Sequence, residues 1–236
     1  MNAAPPSLAD ARSLVASPLW PRIRAFLWDF ASLCDPARLS AAADETSGTG
    51  GFAALANALA TTPRVAASAL HALGVEATFH PFPATDSSRL LLLSREDYDR
   101  LAQFLGVIAL APALRRVTAG AEVRALKAAL PDYRETLAYA AYFHRFEALF
   151  KQVAPADAAA TAETVCAAGH ALLAAALSDL PPELLRRQRL RFPAGSPADS
   201  ALAREAGSVP EASASGAAAR LALKLSNPQE YQQCFS

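Results

Sequence analysis

Apolar residues recur at spacings of three and four along most of this chain, and prolines cut that pattern into short lengths. A period near 3.6 belongs to helices that bury one face. Each of the 17 prolines removes an amide donor and tends to end or kink a helix. Long continuous helices are therefore disfavoured, and the short ones must cover each other's apolar faces. Alanine, the residue with the best intrinsic helix propensity, supplies about a quarter of the sequence. These features predict an all-α fold: an irregular multi-helix bundle with at most a short strand or extended segment.

The clearest stretch runs from Ser94 to Leu130, SREDYDRLAQFLGVIALAPALRRVTAGAEVRALKAAL. Ser94 reads as an N-cap, with Glu96, Asp97 and Asp99 in the first turns, where the helix dipole favours negative charge. Tyr98, Leu101, Leu105 and Ile108 share one face, and Glu96 stands four residues before Arg100. Pro112 ends or kinks this helix. A second helix, about 121–130, points Val123, Leu126 and Leu130 inward. From Pro131 a longer helix carries Tyr139, Phe143, Phe146 and Phe150, a stripe that reads as core. Another follows over 157–177 and stops at Pro181-Pro182.

Nearer the N-terminus, Ser17-Pro18 opens a helix with Trp20, Ile23, Leu27 and Phe30 near one face. A short helix follows Asp35-Pro36, and SGTGG at 47–51 marks a loop. Helices fit 52–60 and 63–73, the latter closed by Gly74, and VEATFHPFPATD reads as extended. Leu90 to Leu93 fit either a short buried strand or the approach to the next helix. Past Pro193, PAGSPADSALAREAGSVPEASASG reads as low-complexity linker. The expected organisation is a lead segment at 1–16, a helical domain at 17–192, a flexible linker at 193–216 and a short helical tail at 217–236.

Composition narrows the function. The 22 basic and 22 acidic residues balance, so no overall field attracts nucleic acid or an anionic membrane. Cys34, Cys166 and Cys234 lie far apart and form neither a disulfide framework nor a ligand cluster, as in a reducing cytosol. The opening MNAAPPSLADARS shows no secretory signal, and the most apolar window, 165–177, is too short to span a bilayer. His71, His80, His144 and His170 stand in four segments, outside any HExxH pattern. No GxSxG elbow is present, and SGTGGF lacks the ending of a phosphate loop. No cofactor, metal or catalytic group is expected.

The remaining candidates are docking residues. Arg186, Arg187, Arg189 and Arg191, with Leu190 and Phe192 between them, suit an acidic protein face, phosphates, or a solvated turn. The charged start of the Ser94 helix, Glu96, Asp97 and Arg100, is the other candidate. A small helical nucleic-acid-binding regulator using Arg186–Arg191 is the alternative function. Neutralising four phosphates implies a log–log salt slope of about −3.6.

Residues 90–146 carry a leucine run entering a helix with RLAQFLG, then LRRV, then EVRALKAAL. PLWPRIRAFLWDFASLCDPARLSAAADE before them and LLRRQRLRFP after them stand in the same order. This set resembles the K subunit of the type III secretion sorting platform, the SctK/YscK family. The resemblance implies a non-enzymatic, cytoplasmic adaptor at the inner-membrane face of the injectisome, with 17–192 as the adaptor domain. Its implied partners are the cytoplasmic domain of the inner-membrane ring protein (the D subunit) and the pod protein (the Q subunit). The linker protein and export ATPase follow indirectly; neither nucleic acid nor membrane insertion is expected.

Overall fold

The computed structural model describes residues 18–47, 63–75, 82–83, 85–154, 159–203 and 211–235. Among them every regular element is a helix. The N-terminal part holds α1 (Trp20–Leu27), a 3-10 turn at Phe30–Ser32, α2 (Pro36–Ser47) and α3 (Pro63–Ala72). Ile23 and Phe26 are the inward positions of α1, and Phe30 that of the 3-10 turn. Asp35 starts α2 by accepting from the Ala37 amide at 3.1 Å. Gly74 closes α3 with φ +70°, a conformation that favours glycine. Of the SGTGG loop expected at 47–51, Ser47 ends α2; residues 48–51, the expected helix at 52–60 and most of VEATFHPFPATD lie outside the described residues.

The leucine run is not a strand. Leu90 ends α4 (Asp86–Leu90), which Thr85 and Ser88 start with a reciprocal capping box. The amides of Leu91, Leu92 and Leu93 then bond to carbonyls three residues back. All four leucines are buried, so a helical turn suffices to place four consecutive apolar residues in the core. Ser94 caps α5 (Arg95–Ala109), accepting from the Asp97 amide. Pro112 ends it as expected and sits in the first turn of α6 (Ala111–Leu114).

Next come α7 (Gly120–Ala129) and α8 (Tyr133–Ala138), a 3-10 helix over Tyr139–Phe146, and α9 (Glu147–Val153). The single helix expected from Pro131 is thus three pieces. The aromatic residues are core, as the spacing indicated: Phe143 and Phe146 are buried, and Phe104 packs on Tyr139 and Phe143 at 5.8 and 6.2 Å. Phe143 to Phe146 spans one 3-10 turn and Phe146 to Phe150 one α turn.

The centre is α10 (Ala162–Leu177), started by a Thr161–Thr164 capping box and buried on most of its circumference. It crosses α5 at backbone contact. A Cβ on Gly106 would lie 1.9 Å from the Val165 carbonyl oxygen, and one on Gly169 1.8 Å from that of Ala102. Only hydrogen fits at either position. A smaller core lies beside this crossing, where Leu110, Leu114, Leu126, Leu130 and Tyr133 meet Val165.

The chain ends as α11 (Pro182–Leu190), α12 (Pro197–Leu202), α13 (Ala212–Ser226) and α14 (Pro228–Phe235). This corrects the linker expected at 193–216. Ser196 caps α12, accepting from the Asp199 amide, and Ala198 and Ala201 are buried. The first turns of α13 bury Ser215 and Gly216, and further along Ala218, Ala219, Ala222 and Leu223. Residues 204–210 are outside the described set. Small side chains read as low complexity because they lack bulk; here that lack lets α13 lie close against α10. The expected short tail is two helices, and Arg22 on α1 grips Glu230 and Gln233 on α14.

Candidate interaction surfaces

The start of α5 is a charged, partly exposed face. Glu96 accepts from Arg100 at 2.8 Å, and Asp97 lies 3.9 Å from the same guanidinium. Asp97 also accepts from the Asn227 amide group at 3.2 Å, tying this end to the α13–α14 junction. The Glu96 side chain is 81% exposed and that of Arg100 56%. These two are available to a partner; Asp97 is largely engaged within the fold.

The four arginines of α11 and its exit behave differently from a solvated patch. Arg187 is 5% exposed and Arg191 4%. Arg187 donates to the Phe26 and Leu27 carbonyls at 3.3 and 3.0 Å, and its guanidinium stands 5.4 Å from the Phe30 ring. Arg191 donates to Leu91 O, Leu93 O and Gln188 Oε1 at 2.8, 2.6 and 2.9 Å. The last carbonyls of a helix lack intrahelical donors, and a planar guanidinium with five N–H groups supplies several at once. Arg187 does this at the end of α1 and Arg191 beyond α4. Burial lowers both pKa values, that of Arg191 to about 10. As docking residues these two expectations are corrected: they face inward.

Arg186 and Arg189 are nearer solvent and also hold the fold together. Arg186 donates to Gly74 O at 2.7 Å, terminating α3. Arg189 meets Asp199 at 2.5 Å, and Arg38 of α2 reaches the same carboxylate. The Gly195 amide donates to Asp199 as well, at 2.8 Å. Burial pushes the Asp199 carboxyl up, but the Arg189, Gly195 and Arg38 hydrogen bonds outweigh it and leave the pKa below the ordinary range. The basic segment is a clasp joining α1, α2, α3, α4 and α12. Little in LLRRQRLRFP signals this, because the carbonyls of Phe26, Leu27, Gly74, Leu91 and Leu93 that it caps are remote in sequence.

Sequence reasoning also missed the polar group around His170. Its imidazole is buried, stacks on Tyr98 at 5.9 Å, and lies 3.5 Å from Asp99. Burial lowers its pKa to about 4. Cys166 stands one turn earlier, its thiol pushed up first by burial and then by the Asp99 charge. A nucleophilic cysteine beside histidine needs the reverse: a lowered thiol and a protonated imidazole. The pair does not have that electrostatics. No group of three metal-ligating side chains occurs among the described residues; His71 and His144 are exposed and separate, and His80 lies outside the described set.

One groove stands out, about 520 Å³, between the α5–α6 junction and the 3-10–α9 segment. Ile108, Ala109, Leu110, Phe143 and Phe150 form buried parts of its lining. Arg115, Arg116, His144, Glu147 and Lys151 stand exposed around it. It gathers no buried polar groups of the sort that orient a small substrate.

The family model for YOP proteins translocation protein K (YscK) matches residues 56–236, from before α3 to the end of α14. The chain belongs to the YscK family. It is accordingly a type III secretion protein. The YscK match takes in the α5–α10 crossing, the four arginines of the clasp and the docked α13–α14 pair, and begins after α1 and α2. Neither a search of curated proteins nor one of solved structures produced a match. No helix among the described residues is long and apolar enough to cross a membrane.

Proposed function

We propose that this chain is the sorting-platform adaptor of a type III secretion system, working at the cytoplasmic face of the inner membrane. In this reading it links the cytoplasmic domain of the inner-membrane ring protein to the pod protein, the Q subunit. Through the pod it connects to the linker protein and the export ATPase. The observation that carries the proposal is the YscK family match over 56–236. An apolar groove and a charged, exposed helix start support docking.

Mechanism here means multivalent docking. Contacts of modest strength hold because neighbouring modules raise one another's effective concentration. Glu96 and Arg100 are proposed docking residues, with Asp97 as their anchor to the α13–α14 junction. The nucleic-acid alternative loses its basis, since Arg187 and Arg191 are buried and all four arginines have partners inside the chain.

The test is a pull-down of the tagged protein from its native cytosol and membranes, with bound proteins identified by mass spectrometry. Recovery of the ring protein and the pod protein is the expected result. Recovery of neither overturns the adaptor reading.

A further inference from the structure

We propose that the groove between the α5–α6 junction and the 3-10–α9 segment receives one amphipathic helix of a partner protein, apolar inward and acidic along its edges. This rests on the adaptor reading and names the kind of segment that the adaptor holds. The floor supplies buried apolar surface from Ile108, Phe143 and Phe150. Among the described residues the rim carries Arg115, Arg116 and Lys151 and one carboxylate, Glu147. Glu147 pairs with Lys151 at 2.7 Å, whereas Arg115 has no carboxylate partner among the described residues and reaches the Leu137 carbonyl at 3.4 Å.

The shape suits a helix. The 3-10 wall, Tyr139–Phe146, has eight residues; at about 2.0 Å rise each it runs about 16 Å. That equals about three turns of α-helix, and apolar anchors at i, i+3, i+4 and i+7 need about 10.5 Å. Acidic edges beside basic rims then set orientation and suppress other partners.

Segments of this chain outside the described residues do not supply such a helix. Residues 48–62 carry no charge, while 1–17 and 204–210 each carry one acid and one arginine. Residues 76–81 and 155–158 are shorter than two helical turns. None of these segments brings a helix with the net acidic edge that the basic rim calls for.

The experiment places a photoreactive benzoylphenylalanine at Ala141, an exposed lining residue, in the full-length protein in its native bacterium. After irradiation the attached peptide is sequenced. The expected peptide comes from a different protein, has apolar residues at helical spacing, and is net acidic. Its yield should fall about tenfold in the Arg115→Glu/Arg116→Glu variant and in Ala113→Trp, with unchanged melting temperatures. A peptide from a second copy of this chain, a basic or uncharged peptide, no peptide, or a yield unaffected by these variants overturns the proposal. The pull-down separates the two readings. If wild type and groove variants recover the ring and pod proteins equally, the groove assignment fails and the adaptor reading stands. If wild type recovers neither, the adaptor reading fails, and the sequenced peptide alone decides the groove.

Discussion

Gly106, Gly169 and Gly216 all sit inside helices, where helix propensity predicts that alanine stabilises each by about 0.5–1 kcal/mol. The structure reverses that sign at two of them. A Cβ at Gly169 or Gly106 meets a backbone carbonyl oxygen at 1.8 or 1.9 Å. Real Cβ contacts stay beyond 3.0 Å, so α5 and α10 must part by about 1.2 Å. A gap of 0.5–1 Å already forfeits about a quarter to a half of each van der Waals well. The side chains between these helices, including Ala102, Leu105, Val165, Leu172 and Leu173, are buried. Overpacking typically costs about 1–3 kcal/mol; because rigid backbone is displaced, we place each substitution at the top of that range. Subtracting the propensity gain leaves about 2–2.5 kcal/mol, or a fall in Tm of about 4–10 °C for a chain of this size. At Gly216 the nearest atom, Ser87 Oγ, is 3.8 Å away, so Gly216→Ala should raise Tm by about 1–4 °C. The double variant Gly106→Ala/Gly169→Ala should cost less than the sum, because the first substitution already separates the helices. Thermal melts followed by circular dichroism at 222 nm read all four. If all three single variants raise Tm alike, α5 and α10 are not in backbone contact.

Arg191→Met leaves the Leu91 and Leu93 carbonyls without their buried donor and, at about 1–3 kcal/mol for each stranded acceptor, should cost about 2–6 kcal/mol. Arg186→Ala, at an exposed site, should cost under about 1 kcal/mol; comparable urea midpoints for the two would refute the distinction. His170 titrates near 6.5 when unfolded and near 4 when folded because of burial. The unfolded state therefore holds more protons between those values, so this contribution is whole above pH 6.5 and disappears as pH falls towards 4. It amounts to up to about 3 kcal/mol. Asp99, whose carboxyl burial pushes up, works against it at the acid end. His170→Phe should flatten the pH dependence of the urea midpoint, and an unchanged slope would exclude His170 as its source. Deleting residues 212–236 removes α13 and α14 and uncovers α10; the product should bind a hydrophobic dye and lose its cooperative melt. A truncated chain melting like the full one would restore the tail to an appendage.

The legible parts were those whose cause is local. Ser94 announces α5 because an N-cap acts within three residues, Pro112 ends it for an equally local reason, and Gly74 closes α3 through its own φ. The aromatic stripe at 139–150 was legible as core. Its 3-10 geometry was not, since positions three and four apart satisfy either helix. The same periodicity left Leu90–Leu93 undecided until the amide bonds showed a turn.

The candidate site was harder to read. Glu96 and Arg100 pair along one helix face and stay exposed, both of which follow from their spacing, and they stand as proposed docking residues. Arg187 and Arg191 were misplaced because a run of arginines carries no information about acceptors that lie 98 to 161 residues away. The groove has no sequence signature at all: its two walls are separated in the chain, and its basic rim is assembled from both.

By itself the sequence determined that this chain is all-α, where α3, α5 and α7 start and stop, and which family its core segments resemble. Those properties follow from caps, prolines and apolar period, all of which act over a few residues. Only the tertiary structure decided that Gly106 and Gly169 must be glycine, that the basic segment is an internal clasp, and that an alanine- and serine-rich stretch belongs partly to the core. The physical reason is the same in each case. Close packing and buried hydrogen bonds depend on which remote atoms arrive, and distance along the chain does not record that.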